Sequence, residues 1–159
     1  MNPSSPSEDY SDVIGRLLVR VYEIHQRVLA KGGGGLEGIR DAAMLHAAVA
    51  RPFATFGGVD LYPDDFEKAA ALFHSLIKSH PFMDGTKRTA FASAVYFLHE
   101  RGYPLQRLLP QDEVIRFCVR VAEEAARQAE GEPVQVKTIP EIAAWFRDLL
   151  GMEEREGDA

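Results

Sequence analysis

The sequence predicts an all-α protein that folds as one domain. Apolar residues recur at intervals of three and four over most of the chain, which is the spacing of amphipathic helices. Glycine or proline stands at the end of most of these segments, where a helix must stop. The chain has 159 residues, of which 46% are hydrophobic and 26% are charged, as in ordinary globular domains. We therefore expect six helices around a single hydrophobic core.

The first helix is predicted from residues that share one face, namely Ile14, Leu17, Leu18, Val21, His25 and Val28. It ends at Gly32–Gly35, a run that lacks the following Gly-Lys-Ser/Thr of a P-loop. We therefore interpret the run as a flexible linker and not as a phosphate-binding loop. Asp41 is placed to cap a second, short helix, which carries Met44 and Val49 and stops before Pro52.

Residues 52–65 differ from the rest of the chain because turn-forming and β-prone residues lie close together there. Gly57 and Gly58 favour a turn, while Val59 and Tyr62 favour extended backbone. We expect a short β-hairpin or an irregular flap at this point, ahead of the motif helix.

Four more helices follow, and each has an apolar face. The third stops at Pro81, the fourth at Gly102, and the sixth begins at Thr138, which is placed to form a capping box with Glu141. Their apolar residues are Ala69, Leu72, Phe73, Leu76 and Ile77 in the third; Phe91, Ala94, Val95 and Leu98 in the fourth; Val114, Phe117, Cys118, Val121, Ala122 and Ala125 in the fifth; and Ile142, Trp145, Phe146 and Leu149 in the sixth.

Charge and composition exclude several classes of function. The chain has 18 basic and 24 acidic residues, and a net charge of −6 offers no basic surface to a nucleic-acid backbone. No apolar stretch approaches the roughly 20 residues of a membrane helix, and the first ten residues do not resemble a signal peptide. We expect a cytoplasmic protein without a nucleic-acid or membrane partner. The one cysteine, Cys118, is expected to be an inert core thiol.

The segment from His80 to Arg88 carries the residues best suited to chemistry. Gly85 allows a ligand to approach the backbone closely, and a helix that begins near Thr86 leaves its first amides unpaired. Such a helix start binds anions, and Lys87 and Arg88 add two positive charges beside it. This part of the segment therefore predicts a phosphate site.

Asp84 and His80 add a metal ligand and a base. A carboxylate is the kind of ligand that Mg²⁺ accepts together with substrate phosphates, and histidine can act as a general base near neutral pH. Each has a structural alternative, since His80 can be a hydrogen-bonded core residue and Asp84 a helix cap. Lys87 and Arg88 can form a solvated first turn, although positive charge at a helix N-terminus opposes the macrodipole and so favours a bound anion.

Two further expectations concern neighbouring aromatic and imidazole side chains. Phe82 is interpreted as an anchor that fixes the loop in the core. The remaining histidines lack the spacing of metal ligands and are expected to be structural; they are His25, His46, His74 and His99.

The pattern His-Pro-Phe-x-Asp-Gly-x-Lys-Arg resembles the signature of the Fic/Doc (Fido) superfamily. Lys87 followed by Arg88-Thr89-Ala90 resembles the death-on-curing, or Doc, branch, as do three upstream segments, Gly38–Asp41, Ala50–Pro52 and Gly57–Tyr62. The resemblance covers residues 17–105. It implies a Fido domain over residues 11–151, with a flexible N-terminus at 1–10 and a flexible acidic tail at 152–159.

The resemblance also implies roles for the motif residues. ATP and Mg²⁺ would be the cofactors: Asp84 would hold the metal, the backbone from Gly85 through Thr86 to Lys87 would form the anion hole, and Arg88 would grip phosphate. His80 would deprotonate a hydroxyl of the target protein, and the flap would align the target by strand pairing.

The Doc branch implies a toxin that transfers phosphate from ATP to a translation protein, elongation factor Tu. No stretch fits the self-inhibitory Ser/Thr-x-x-x-Glu-Gly/Asn helix, so we expect a separate antitoxin as partner. Two alternatives stay open, an AMP-transferring Fic enzyme and a binding module without turnover. The second arises because Thr86 stands where the family has asparagine.

Overall fold

Six helices and one short hairpin make up residues 10–105 and 108–152, the part of the chain that the computed structural model describes. In chain order they are α1 (Ser11–Lys31), α2 (Ala42–Ala50), a 3₁₀ turn (Arg51–Phe53), β1 (Thr55–Phe56), β2 (Val59–Asp60), α3 (Asp65–Ser79), α4 (Thr86–Glu100), α5 (Gln111–Ala129) and α6 (Ile139–Leu149). The all-α prediction is confirmed, with six helices where six were expected. The predicted flexible ends at residues 1–9 and 153–159 lie outside the described residues.

The helix starts follow the predicted capping chemistry. The side chain of Asp41 accepts a hydrogen bond of 3.0 Å from the Met44 amide at the start of α2. At the start of α6, Thr138 accepts from the Glu141 amide, and the Glu141 side chain accepts from Thr138 in return. Both boundaries are therefore set by local sequence.

Helix α3 lies at the centre of the domain and packs against α2, α4, α5 and α6. Its residues Leu72, Phe73 and Leu76 are fully buried. Trp145 of α6, predicted to be buried, is only partly so, and its ring stacks on Phe117 with 3.8 Å between centroids. Within the described residues no helix has both the length and the apolar character to cross a membrane.

Burial accounts for the behaviour of the single thiol. Cys118 lies in the core on α5, and burial raises its pKa to about 12 against the smaller opposing effect of the Lys87 charge. The thiol stays protonated at neutral pH, in agreement with the predicted inert role.

The hairpin forms as predicted, but it lies at the far end of α3 from the motif loop. Thr55 pairs with Asp60 and Phe56 with Val59 in antiparallel register. Lys68, in the first turn of α3, donates to the Asp60 carboxylate and so holds the hairpin there. His80 follows the other end of this 15-residue helix, about 20 Å away. This placement contradicts the expectation that the hairpin aligns a target segment beside the loop.

Candidate active site

His80 ends α3 in a left-handed conformation, with φ 48° and ψ 58°. Among the described residues no other non-glycine residue has a positive φ. The residue is exposed, and its ring makes no hydrogen bond to any described part of the chain. The core-histidine alternative is therefore wrong. Strained backbone of this kind persists where the surroundings enforce it, and it concentrates at functional sites.

Arg40 is the residue that enforces this turn. Its Nε donates to the His80 carbonyl and a terminal guanidinium nitrogen donates to the Ser79 carbonyl, both at 2.8 Å. These carbonyls belong to the last turn of a helix, where acceptors lack intrahelical partners and a positive charge is favourable. The Arg40 amide also donates to the Pro81 carbonyl at 2.7 Å. Arg40 thus fixes the backbone on both sides of the His80 ring.

The segment around Arg40 also pairs with the motif loop through an isolated β-bridge. Ile39 forms an antiparallel bridge with Phe82, and the Met83 amide donates to the Gly38 carbonyl at 3.1 Å. Phe82 has no exposed surface, which confirms its predicted role as an anchor. Residues 38–40, and not the hairpin, therefore flank the loop.

Asp84 is exposed and offers a carboxylate at the centre of the loop. One oxygen accepts a 2.8 Å hydrogen bond from the Gly85 amide. No cluster of three or more His, Cys, Asp or Glu side chains suited to a metal occurs in the described ranges. A single carboxylate fits Mg²⁺, which is commonly held by one or two carboxylates together with substrate phosphates. The residues present therefore suit a metal that arrives with a phosphate ligand.

The start of α4 has the backbone features that the predicted anion site requires. Gly85 is the N-cap, with φ 75°, and no side chain caps the helix. The first amides of the helix therefore have no intrahelical acceptor. The Thr86 side chain, in contrast, turns into the core: the residue is 3% exposed, and its buried hydroxyl has no partner in the described structure. Only the main chain of Thr86 can serve the predicted phosphate site.

The structure does not bring the two motif cations together. A guanidinium nitrogen of Arg88 lies 3.3 Å from the Val28 carbonyl, at the end of α1. Lys87 is exposed on the side of α4 that faces α5, where its charge acts on Cys118. Of the two, Arg88 is the one that lies, like Asp84, close to the glycine run Gly32–Gly35.

This glycine run follows α1 and is approached closely by both side chains. A Cβ at Gly32 would lie 1.9 Å from an Arg88 guanidinium nitrogen, and a Cβ at Gly35 would lie 2.8 Å from an Asp84 carboxylate oxygen. A side chain at either position would therefore have to displace a motif side chain. The linker interpretation did not anticipate these contacts, and the printed sequence alone gives no sign of them.

His25 is a further site residue that sequence reasoning missed. It lies on α1 with 1% exposure, and its Nε2 is 2.7 Å from the Asp84 main-chain oxygen. Its ring stacks on Phe82 with 3.9 Å between centroids. The available signal was a polar residue within the apolar face of the first helix, which by itself is compatible with a purely structural histidine.

A groove of about 550 Å³ lies between α2, α3 and the start of α6, and His74 and Lys78 are among the residues that line it. No residue of the motif loop lines this groove. Burial, followed by the charges of Lys78 and Arg51, lowers the pKa of His74. A neutral, half-buried ring agrees with the structural role predicted for His74.

We expect His80→Gly to leave the free energy of unfolding unchanged or to raise it by about 1 kcal/mol, because glycine adopts positive φ without steric cost. His80→Ala keeps the strain and is the matched control, which should be no more stable than the wild type. Thermal and urea unfolding measure both. A clear destabilisation by His80→Gly would contradict the exposed, strained placement of this residue.

We expect Gly32→Ala to displace the Arg88 side chain and to weaken ADP binding about tenfold, as expected for one lost charge-assisted hydrogen bond. Isothermal titration measures the affinity. Gly15→Ala is the control, because a Cβ at Gly15 meets no atom within 4 Å. Equal affinities in the two variants would show that Arg88 does not serve the anion site.

Comparison with known proteins agrees with this geometry. The chain is 55% identical over 73 residues to Toxin Doc of Mycolicibacterium smegmatis. The match covers 46% of this chain and 55% of that protein, so the chain spans about half the length of the curated relative it matches. The family model described as Fic/DOC family matches residues 18–98, just over half of the chain, and includes the whole motif loop. The chain therefore belongs to the Fic/DOC family.

Proposed function

We propose that this chain is a Doc-like toxin that transfers the γ-phosphate of ATP to a hydroxyl side chain of a translation protein, with elongation factor Tu as the target that the Doc resemblance favours. The observation that carries the proposal is the backbone conformation of His80 together with the exposure of its ring. Its backbone is fixed by Arg40 in a strained turn while its ring stays exposed, at the start of the loop that leads to the open amides of α4. The similarity to Toxin Doc supports the same assignment.

In the proposed reaction His80 accepts the proton of the target hydroxyl, whose oxygen attacks the γ-phosphorus. The new bond joins that oxygen to phosphorus, the bond from phosphorus to the β,γ-bridging oxygen breaks, and ADP leaves. General base catalysis of this kind contributes roughly 10²- to 10⁴-fold in rate. The amides at the start of α4 and the Arg88 guanidinium bind the phosphates. Asp84 would hold Mg²⁺, which neutralises phosphate charge when bound.

The alternative within the family is transfer of AMP, which requires attack on the α-phosphorus. The resemblance to the superfamily implies that members with that activity have glycine at the position of Lys87 and a second arginine at the position of Phe91. The long side chain of Lys87 and the absence of an arginine at position 91 favour γ-phosphate transfer.

The burial of Thr86 supports turnover over a binding module without activity. Because the Thr86 hydroxyl faces the core, the difference from the family asparagine leaves the exposed surface of the anion site to the backbone, Asp84 and Arg88. The loss of one amide side chain therefore removes none of the groups to which the proposal gives a role.

The decisive experiment uses ATP labelled separately at the α and γ positions. We expect elongation factor Tu to acquire label from the γ position alone, with a mass increase of one phosphate, because the target hydroxyl attacks the γ-phosphorus and the α-phosphorus leaves with ADP. His80→Ala should abolish transfer. Its far-UV circular dichroism should match that of the wild type, which would show that the loss of transfer is not a loss of folding.

Label from the α position would assign the chain to AMP transfer instead. Label from neither position, with normal ADP binding, would favour the binding module.

Exposed apolar residues around the loop support a separate antitoxin. Leu36, Ile39, Met44 and Met83 are between 39% and 64% exposed, and they lie in the motif loop, in or beside the segment that pairs with it or in the adjoining start of α2. We call these four residues the apolar patch, and exposed apolar side chains beside a functional site are typical of a surface that binds another protein. We propose that an antitoxin covers this patch, and that the toxin acts in the cytoplasm, where translation takes place.

We expect co-expression of one neighbouring reading frame to restore growth that the toxin alone arrests. Calorimetry of the purified pair should give a large negative heat-capacity change, as an antitoxin segment folds onto the apolar patch. His80→Ala, expressed alone, is the control for toxicity. Growth arrest that neither neighbour relieves would contradict the antitoxin assignment.

A further inference from the structure

His25 is a buried titratable residue to which the proposed reaction gives no role. It lies on α1, 59 positions before Asp84 in the sequence, and only 1% of its surface is exposed. It nevertheless contacts two residues of the motif loop. Its Nε2 is 2.7 Å from the Asp84 carbonyl oxygen, and its ring lies 3.9 Å from the Phe82 ring with 8° between the planes.

These contacts define what His25 does chemically. A carbonyl oxygen only accepts, so the Nε2 must carry the proton and donate it to Asp84. Stacking on Phe82 holds the imidazole plane, and Phe82 itself is fully buried. A ring enclosed in this way with its Nε2 proton engaged cannot collect a proton from a protein substrate. His25 is therefore not a second general base.

The hydrogen bond acts on the residue that offers the metal ligand. The Asp84 carbonyl is held by His25, and one Asp84 carboxylate oxygen is held by the Gly85 amide at 2.8 Å. The other carboxylate oxygen lies against Gly35, where a Cβ would come within 2.8 Å. Contacts from α1, from the glycine run and from the adjacent Gly85 thus restrain both the backbone and the side chain of Asp84, and His25 is the one that ties it to a helix.

We propose that His25 is a positioning residue which orients the Asp84 carboxylate for a divalent cation. The inference deepens the proposed function, because it concerns the same loop and the metal assigned to it. Groups that orient metal ligands commonly change metal affinity about 10- to 100-fold when they are removed.

Two substitutions separate the hydrogen bond from packing. His25→Phe keeps a flat ring that can stack on Phe82 but has no donor. His25→Gln keeps a donor at a comparable distance from the backbone and loses the ring. Asp84→Asn serves as the reference for loss of the metal ligand itself.

The measurement is the affinity for ADP with and without Mn²⁺, by isothermal titration, together with Mn²⁺ binding alone, by electron paramagnetic resonance. We expect His25→Phe to reduce the Mn²⁺-dependent gain in ADP affinity about tenfold while metal-free ADP binding stays unchanged. His25→Gln should retain most of the gain. A merely structural role would lower both ADP affinities together.

The outcomes distinguish this inference from the proposed function. Weaker Mn²⁺ binding in His25→Phe supports the positioning role even if no phosphate transfer is found. An unchanged Mn²⁺ effect in His25→Phe overturns it even if transfer is confirmed, and so does a wild type that binds no Mn²⁺ in either assay. If His25→Phe does not fold, the Nε2 proton resonance of wild-type His25 must shift on addition of Mg²⁺, and an unshifted resonance overturns the inference.

Discussion

The arrangement of the site depends on the burial of Phe82. The loop from His80 to Arg88 must present polar groups to solvent, yet a loop made only of polar groups would have no fixed position. Phe82 removes its ring from water completely, which stabilises by about 2 kcal/mol, and it lies between the imidazole of His25 and the bridge to Ile39. The exposed residues on either side, His80 and Asp84, are thereby held at fixed points on the surface.

Much of the fold follows from local rules that the sequence displays openly. The helices of this domain have apolar residues at helical spacing, and Asp41 and Thr138 mark two of the starts by capping chemistry. The motif loop is also visible, because glycine, a carboxylate, two cations and a histidine occur within nine residues between two helices. These features concern neighbours in the chain, and they could be predicted for that reason.

The residues that hold the loop in place could not be predicted in the same way. Arg40 contacts a residue 40 positions away, and His25 contacts one 59 positions away. The contacts of Gly32 with Arg88 and of Gly35 with Asp84 are equally remote in sequence. A contact between residues that are remote in the chain produces no periodic pattern and no fixed spacing from which it could be predicted. The position of the hairpin could not be predicted for the same reason, since its sequence specifies a turn but not which end of α3 it contacts.

The loop that begins at His80 joins the C-terminus of α3 to the N-terminus of α4, and these two helix ends have opposite polarity. The loop begins at the C-terminus of α3, where carbonyl groups concentrate negative charge, and ends at the N-terminus of α4, where amides concentrate positive charge. Arg40 donates to the Ser79 and His80 carbonyls at this negative pole. In the proposed reaction a proton arrives at His80 while negative phosphate oxygens lie at α4. The backbone field therefore runs in the direction of the charge separation that the reaction creates, and the fold supplies this before any side chain of the loop contributes.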